Sequence, residues 1–359
     1  MRTRTTTLAA LALAAMLVAG TATAQARLPR DFFGVVPQTT LSAADTNRMR
    51  GGGLDVVRLP VFWSSVQPSP RSGYDWSEVD RVLATTARSR LDLLPFLYGT
   101  PGWLGRQTRM PVDSARQRRE WQAFLTAAVE RYGPGGQFWA EHGPASGDFV
   151  PPRPVRRWQV WNEPNFFYFA TPVSPGRYAR LLKLSHQAIV RTDPRAEVIL
   201  GGLFGNPKER PPRAMDATDF LDRLYAVRGI KQSFDGVALH PYAASAAELR
   251  RLTEALRGVT VRNRDRRAGL YLTEVGWGSQ RNPRRVAFEV GLREQARELR
   301  SAYGYLIGNR ARLNLKQVHW FSWKDRRGAC NFCDSVGLFR GGARFKPKPA
   351  WHAFVRIAR

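Results

Sequence analysis

Two glutamates each follow an apolar segment that has the composition of a buried β-strand. Glu163 stands in Trp158-Gln-Val-Trp-Asn-Glu-Pro-Asn165, where Pro164 cannot donate a backbone hydrogen bond and therefore ends the strand. Glu274 follows Leu270-Tyr-Leu-Thr273 in the same way. Two carboxyl groups that flank one cleft can act as a general acid and as a nucleophile or base, which is the chemistry that cleavage of a glycosidic bond requires.

Other side chains that can bind or polarise a substrate stand at the ends of further strand-like segments. An arginine can hold a carboxylate in its ionised form, and a tyrosine hydroxyl can donate a hydrogen bond to it. The candidates for such substrate-binding positions are Arg58, Asn162, His240, Tyr242 and Trp323. We therefore ask which elements could bring these side chains to the same place as the two glutamates.

Eight apolar segments of strand character alternate with amphipathic segments of helical character. The predicted strands are 32–36, 54–60, 91–97, 158–161, 197–200, 234–239, 270–273 and 317–323. The predicted helices are 42–50, 77–89, 114–131, 217–227, 246–257, 284–306 and one that begins at Ser174 and Pro175, an N-cap followed by proline at the first helical position. This alternation predicts a parallel sheet with helices packed outside it.

Eight strand–helix units predict an α/β fold, a single (β/α)8 TIM barrel, in which residues 27–359 form one catalytic domain. An open doubly wound sheet would carry a glycine-rich fingerprint in its first strand-to-helix turn, and residues 33–38 show none. In a barrel, the functional residues lie at the carboxyl ends of the strands. Glu163 and Glu274, on the fourth and seventh predicted strands, should therefore face each other across the mouth.

Three of the candidate binding residues also have a purely structural interpretation. Arg58 could form a salt bridge at the barrel rim, because buried arginines are normally paired in any protein. His240 could be a hydrogen-bonded rim histidine that makes no contact with a substrate. Trp320 and Trp323 lie three residues apart, so that only one of them need reach the mouth.

The two glutamate segments resemble a known family. Trp161-Asn-Glu-Pro-Asn165 and Thr273-Glu-Val-Gly-Trp277 resemble the acid/base strand and the nucleophile strand of glycoside hydrolase clan A. The resemblance implies a retaining mechanism, in which Glu163 is the general acid/base and Glu274 is the nucleophile. The match extends over nearly the whole chain beyond its first residues.

The resemblance also implies roles for the other strand ends. Arg58 would hydrogen-bond the nucleophile, and His240 and Tyr242 would lie near the same site. Asn162 would bond the sugar 2-hydroxyl, and Trp323 would be an aromatic platform for a sugar ring. The chemistry implied needs no metal ion and no organic cofactor, and its substrate is a polysaccharide or oligosaccharide.

Three further segments are most similar to the family 39-related bacterial branch of the clan. They are Trp63-Ser-Ser-Val-Gln-Pro68, Tyr74-Asp-Trp76 and Tyr132-Gly-Pro-Gly-Gly136. That branch includes enzymes that act on exopolysaccharide. The alternative to an enzyme is a non-catalytic polysaccharide-binding or cell-surface protein with the same barrel. Replacement of either glutamate in the sequence would favour this alternative, but both glutamates are present.

The formal net charge of +27 raises the question of a nucleic-acid partner. Only seven of the 56 Lys and Arg residues are lysines, and the arginines are spread from end to end without a dense basic run. Neither a helix-turn-helix pattern nor a zinc-finger spacing accompanies them, so we expect no nucleic-acid partner; a salt-sensitive DNA complex would contradict this. Attraction to an acidic polysaccharide or a cell surface stays open.

The first residues have the pattern of a secretory signal peptide. Arg2 and Arg4 precede an apolar run over residues 8–20, which small residues follow. The run is short for a membrane-spanning helix, which makes a retained anchor the lesser alternative, and no later segment is apolar for long enough to cross a bilayer. We therefore predict a signal peptide over residues 1–26, a secreted mature protein that starts near Gln25 or Arg27, and no membrane span in it.

The only two cysteines, Cys330 and Cys333, lie in Gly328-Ala-Cys-Asn-Phe-Cys-Asp334. A structural zinc site needs four ligands, and no second pair of cysteines exists. The strand and helix that flank a thioredoxin-type site are missing as well. In an exported protein, the spacing predicts a disulfide that closes a short loop.

Overall fold

The computed structural model of the protein describes residues 28–281, 286–342, 344 and 346–359. The predicted signal peptide lies outside these residues. Within them, no helix is long and apolar enough to cross a membrane.

The described residues contain nine strands, eight of which form a closed parallel barrel. The strands are β1 (Phe33–Val36), β2 (Val56–Phe62), β3 (Asp92–Tyr98), β4 (Arg157–Val160), β5 (Glu197–Leu200), β6 (Leu203–Phe204), β7 (Gly236–His240), β8 (Gly269–Val275) and β9 (Leu315–Phe321). Neighbouring strands follow the order β5-β4-β3-β2-β1-β9-β8-β7, and pairing of Ile199 with Gly236 joins β5 to β7 and closes the ring. The two-residue β6 pairs with the end of β7. The predicted (β/α)8 TIM barrel is confirmed.

Eleven α-helices were assigned in the described part of the chain. They are α1 (Ala43–Gly51), α2 (Trp63–Val66), α3 (Ser77–Arg88), α4 (Ala115–Tyr132), α5 (Gln137–Glu141), α6 (Pro175–Thr192), α7 (Ala217–Tyr225), α8 (Ala246–Arg262), α9 (Leu292–Gly308), α10 (Arg310–Leu313) and α11 (Pro349–Ala358). Ser174 caps α6 by accepting a hydrogen bond from the Arg177 amide, as its sequence predicts.

One predicted helix begins later than expected. The segment 284–306 was predicted to be helical throughout, but α9 begins at Leu292. Gly291 has a φ of 100°, which a helix cannot accommodate, and Glu289 forms a parallel bridge with Gly278. The chain therefore makes a turn over residues 286–291 before the helix starts, and this turn brings Phe288 against the barrel mouth.

The interior of the barrel changes from apolar to polar along the strands. Its lower layer is a buried cluster of five side chains from β2, β3, β5, β7 and β8: Val56, Leu94, Ile199, Ala238 and Tyr271. Side chains of a strand alternate between its two faces, so residues two positions further along point into the barrel as well. From β2, β7 and β8 these residues are Arg58, His240 and Thr273, all of them buried. The upper part of the barrel is therefore a polar site above an apolar floor.

Cys330 and Cys333 form the predicted disulfide, with 5.0 Å between their Cα atoms. The bond closes a short loop in the segment that follows β9. Phe332 lies within this loop, and its ring is 5.1 Å from that of Tyr242. The loop thus contributes an aromatic side chain to the barrel mouth.

Candidate active site

The structure brings Glu163 and Glu274 together at the mouth of the barrel. Glu163 lies just beyond β4, and Glu274 lies near the end of β8. One carboxyl oxygen of each residue lies within 4.8 Å of the other and of a ring nitrogen of His240. Glu163 is 5% exposed and Glu274 is 9% exposed. Two carboxyl groups are therefore held close together in a site from which most water is excluded.

Glu274 receives a short hydrogen bond at each of its carboxylate oxygens. Arg58 Nη1 donates to Oε1 at 2.6 Å, and the Tyr242 hydroxyl donates to Oε2 at 2.6 Å. Burial raises the pKa of Tyr242 well above 10.0, and the charge of Glu274 raises it further, so the hydroxyl keeps its proton. These two donors fix the orientation of the Glu274 carboxyl group.

Arg58 uses each of its three nitrogen atoms to bind a different residue. Besides the bond to Glu274, Nε donates to Gln159 Oε1 at 2.6 Å and Nη2 donates to Asn162 Oδ1 at 2.8 Å. The side chain is completely buried, and its Cζ lies 4.1 Å from the centre of the Phe96 ring. Arg58 is therefore a fixed positive charge that orients both Glu274 and Asn162.

The backbone bends sharply after β4. Trp161 and Glu163 have φ angles of 73° and 37°, a conformation that costs residues other than glycine about 1–3 kcal/mol each. Hydrogen bonds from Trp161 N to Leu97 O (2.9 Å), from Trp161 Nε1 to Phe169 O (2.8 Å) and from Glu163 N to Gly202 O (3.1 Å) hold the bend. The strained turn directs the Glu163 carboxyl group into the mouth.

A chain of hydrogen bonds links Glu163 to β8 through His240. His240 Nδ1 lies 2.7 Å from Glu163 Oε1, and Nε2 lies 3.0 Å from Thr273 Oγ1. Burial lowers the pKa of His240 well below 6.5, and the charge of Arg58 adds to this, so the ring is neutral and carries one N–H. Such a ring can accept from a protonated Glu163 or donate to an ionised one, because the Thr273 hydroxyl can either accept or donate at the other nitrogen.

Gly202 makes room for His240. A Cβ atom at position 202 would overlap the imidazole ring. The carbonyl of the same residue accepts the Glu163 amide hydrogen bond. The absence of a side chain at Gly202 therefore allows the backbone that holds Glu163 to pass directly beside His240.

The two carboxyl groups differ in their electrostatic surroundings. Burial raises the pKa of Glu163 well above 4.5, and the negative charge of Glu274 raises it further, against the opposing effect of Arg58. Glu274 has the direct ion pair with Arg58, whereas Glu163 has the neutral His240. The two carboxyl groups therefore differ in their direct partners, a guanidinium for Glu274 and a neutral imidazole for Glu163.

Aromatic side chains form the wall of the mouth beside Tyr242. The Tyr242 ring is stacked on Phe288 with 5.2 Å between centroids, and it meets the edges of Phe332 at 5.1 Å and Phe321 at 6.1 Å. Phe288 and Phe332 come from the segments that follow β8 and β9, and Phe321 is the last residue of β9. The three rings limit the space in which Tyr242 can move. An apolar wall next to charged groups suits a sugar ring, which has both apolar and hydroxylated faces.

Trp323 does not lie in the mouth, and its predicted role as a sugar platform is wrong for this structure. β9 ends at Phe321, two residues earlier than predicted. The Trp323 side chain is fully buried, its Nε1 donates to Asp45 Oδ1 at 2.8 Å, and its ring packs against Phe339 and Trp351. The shorter strand makes Phe321 the aromatic residue that faces Tyr242.

Glu163, His240 and Glu274 also satisfy the distance requirement for a metal site, since their ligand atoms all lie within 4.8 Å of one another. The charge of Arg58 opposes such a use. Its Nη1 lies 2.6 Å from Glu274 Oε1, so that a divalent cation bound to Glu274 would stand close to a buried guanidinium. The three side chains are therefore better suited to acid/base chemistry by the protein itself than to binding a metal ion.

Solved structures similar to this chain include glycoside hydrolases, although no protein-family model and no curated protein matches the sequence. The chain is similar to a family 39 glycoside hydrolase from Bacteroides cellulosilyticus WH2, with a TM-score of 0.64 and 19% identity over 92% of this chain. It spans 64% of the length of that protein.

Two further structures show the same architecture. A β-xylosidase from Caulobacter crescentus CB15 matches with a TM-score of 0.62 and 17% identity, over 90% of this chain and 67% of the other. Xylanase 10B from Thermotoga maritima matches with a TM-score of 0.60 and 13% identity, over 92% and 95%. The resemblance to clan A barrels that the sequence indicated is confirmed at the level of the fold.

Several residues that build the site were not predicted from the sequence. These are Gln159, Gly202, Thr273, Phe288, Phe321 and Phe332. Gln159 and Thr273 could have been found, because each is a polar residue inside an otherwise apolar strand. The others carry no comparable local signal, since their roles arise from contacts between segments that are distant in the chain.

Proposed function

We propose that the protein is a retaining glycoside hydrolase in which Glu274 is the nucleophile and Glu163 is the general acid/base. The observation that carries this proposal is the pair of carboxyl groups, within 4.8 Å at their nearest oxygens and in opposite electrostatic surroundings. Retaining enzymes hold their carboxyl groups about 5–5.5 Å apart, whereas inverting enzymes leave about 6.5–9.5 Å for a water molecule. The fold shared with glycoside hydrolases supports the same conclusion.

In the first step, Glu274 attacks the anomeric carbon while Glu163 gives its proton to the departing glycosidic oxygen. A bond forms between the anomeric carbon and a Glu274 oxygen, and the bond to the leaving sugar breaks. Hydrogen bonds from Arg58 and Tyr242 hold Glu274 in its orientation before the attack. The raised pKa of Glu163 keeps the proton available for the leaving group.

In the second step, Glu163 acts as a base toward water, because Glu274 has lost its negative charge. Once Glu274 carries the sugar, its negative charge no longer raises the pKa of Glu163. Glu163 then takes a proton from water, which attacks the anomeric carbon and releases Glu274. His240 supports both forms of Glu163, because its Nδ1 can accept from the acid and donate to the carboxylate.

Asn162 is the best placed residue for binding a hydroxyl group beside the reacting carbon. Its Oδ1 accepts from Arg58 at 2.8 Å, which fixes the orientation of the amide. Within the described chain no hydrogen-bond partner occupies Nδ2, so this group can donate to a substrate. A hydrogen bond that strengthens as charge develops on the sugar lowers the barrier to cleavage.

The substrate in this proposal is a polysaccharide or oligosaccharide outside the cell. Export is inferred from the pattern of residues 1–26 in the sequence. The mass of the protein recovered from the periplasm or medium tests export, because cleavage would leave an N-terminus near Gln25 or Arg27. Recovery of only the uncleaved chain from the cytoplasm would contradict it.

A glycan-panel hydrolysis assay with matched variants tests the proposal. Glu163→Gln and Glu274→Gln should each abolish turnover, with a circular dichroism spectrum like that of the parent to show that each variant is folded. Glu289→Gln is the control, because Glu289 is also a buried glutamate, with 2% exposed, but accepts a hydrogen bond from Ser335 and does not belong to the carboxyl pair. Azide should restore turnover of Glu163→Gln on aryl glycosides, since a small anion needs no base to attack the glycosyl-enzyme.

Full activity of Glu163→Gln on a natural glycan would rule out the assigned acid/base. Binding without hydrolysis of every glycan in the panel would instead favour a carbohydrate-binding protein.

A further inference from the structure

The loop that follows β9 is anchored in the fold at one end. Cys333 and Val336 are buried in an apolar cluster that also contains Phe321. The Phe332 carbonyl accepts hydrogen bonds from the amides of Ser335 at 3.0 Å and Val336 at 3.2 Å. The part of the loop that follows Phe332 is therefore fixed by its own contacts beside the barrel mouth.

The preceding part of the loop has few such contacts. Residues 327–332 are mostly exposed, and in the described part of the chain none of their backbone amides donates a hydrogen bond to another backbone group. The disulfide joins Cys330 to the buried Cys333, and Arg326 N donates to Cys333 O at 2.7 Å. The disulfide closes the smaller of these two rings, in which Phe332 lies between the two cysteines.

Phe332 packs against the tyrosine that binds the proposed nucleophile. Its ring meets those of Tyr242 and Phe288 edge to face, with centroids 5.1 Å and 4.5 Å away. The Tyr242 hydroxyl donates to Glu274 at 2.6 Å. Packing against neighbouring side chains is what locks the rotamer of a functional residue. Displacement of Phe332 would therefore open one side of the Tyr242 ring and let the hydroxyl move away from Glu274.

We propose that the Cys330–Cys333 disulfide is required for activity, because it fixes Phe332 against Tyr242 and thereby keeps the Tyr242 hydroxyl on Glu274. Phe332 is a positioning residue, which acts on the reaction through Tyr242. This role deepens the proposed hydrolase function and rests on it for the effect on turnover. A disulfide with a purely structural role would instead change stability without changing turnover.

Steady-state kinetics of Phe332→Ala test the positioning role. We expect kcat to fall by about 10-fold, within the roughly 100-fold that a misplacement of about 1 Å can cost, and KM to change less. Phe332→Leu keeps an apolar side chain and should recover part of the loss. Tyr74→Ala is the control, because it removes a partly buried ring that packs against Trp76 and Phe124, outside this cluster. Phe332→Ala with the kcat of this control would overturn the proposal.

A double-mutant cycle with Tyr242→Phe shows whether Phe332 acts through the Tyr242 hydroxyl. In the Tyr242→Phe protein, Phe332→Ala should cost little further activity, because the hydroxyl that it positions is already gone. A general loosening of the fold would lower kcat by the same factor in both proteins. A further loss as large as that in the parent would therefore reject the positioning role.

Reduction of the parent protein opens the disulfide without any substitution. The reduced protein, in which thiol labelling verifies the open bond, should lose kcat by the same factor as Phe332→Ala. The double variant Cys330→Ala/Cys333→Ala should show this loss as well, and it should not respond to the reductant, which excludes other effects of the reagent. Full turnover by the reduced and folded protein would show that the disulfide is dispensable for activity.

Fluorine NMR of the protein labelled with fluorotyrosine gives a readout that does not depend on turnover. The resonance that is missing from Tyr242→Phe belongs to Tyr242. It should shift or broaden when the disulfide is reduced, because the ring then loses its fixed contact with Phe332. An unchanged resonance would contradict the proposal. If the resonance responds but no form of the protein cleaves any glycan, the contact is as proposed and the hydrolase function fails.

Discussion

Arg58 and Glu274 form a buried ion pair across the barrel, with 2.6 Å between Nη1 and Oε1, although 216 residues separate them in the chain. The pair joins β2 to β8 at the level of the site. The pair has a structural role, since removal of either partner would leave the other as an unpaired buried charge. It also holds the proposed nucleophile in a fixed orientation.

Replacement of Arg58 by Met should therefore affect both stability and activity. Loss of one partner from a buried pair costs about 3–5 kcal/mol, and kcat/KM should fall by more than 100-fold because Glu274 and Asn162 lose their common donor. Chemical denaturation and steady-state kinetics measure the two effects. Arg81→Met removes an exposed pair with Glu78 and should cost less than about 1 kcal/mol. If Arg58→Met lowered stability and activity as little as Arg81→Met, the proposed role of Arg58 would be contradicted.

Tyr242→Phe removes a single hydrogen bond to Glu274 and keeps the aromatic ring. A hydrogen bond to a charged group is worth about 1.5–3 kcal/mol, so kcat/KM should fall roughly 10–100-fold. Tyr305→Phe is the matched control, because the Tyr305 hydroxyl donates to Glu254 at 2.7 Å on the outside of the barrel. It should leave kcat/KM unchanged. A Tyr242→Phe enzyme as active as the control would show that the hydroxyl does not assist Glu274.

The raised pKa of Glu163 predicts how stability changes with pH. The folded state keeps a proton on Glu163 above pH 4.5, where the unfolded chain loses it, so this residue makes folding less favourable as pH rises toward its folded pKa. Glu163→Gln should be more stable than the parent at neutral pH, and the difference should shrink toward pH 4. Denaturant titrations between pH 4 and 8 measure it. Glu130→Gln, on the exposed side of α4, gives the baseline for loss of one carboxyl group. A destabilised Glu163→Gln across this range would contradict the raised pKa.

Gly202→Ala should displace His240, because the added Cβ overlaps the imidazole ring. We expect a large loss of kcat with a smaller change in KM, since His240 supports Glu163 and is not placed to bind the sugar. Gly176→Ala in α6 is the control, as a Cβ there meets no neighbour within 4 Å. Unchanged activity of Gly202→Ala would mean that the contact between Glu163 and His240 is dispensable.

Much of the fold could be predicted from the sequence because the strands are apolar and the helices are amphipathic. The alternation of eight such units is a global pattern that errors of one or two residues do not disturb. The positions of Glu163 and Glu274 followed from the same pattern, since each directly follows an apolar run. Ser174 and Pro175 likewise marked the start of α6 through local capping chemistry.

Other features depended on single residues or on distant contacts and could not be predicted in this way. Trp323 was misplaced because β9 ends two residues earlier than its run of aromatic and β-branched residues suggested. Gly202 matters only because His240, 38 positions further along, packs against its backbone. The late start of α9 is set by the bridge between Glu289 and Gly278, which is a tertiary contact.

The most direct test of the central claim is mass spectrometry of the protein after reaction with an activated glycoside that carries fluorine at C2. The sugar is taken from the glycan that the hydrolysis panel identifies. Fluorine slows the second step, so a retaining enzyme accumulates its glycosyl intermediate. We expect one sugar per chain, attached to the peptide that contains Glu274. A label on Glu163, or release of an inverted product with no label at all, would contradict it.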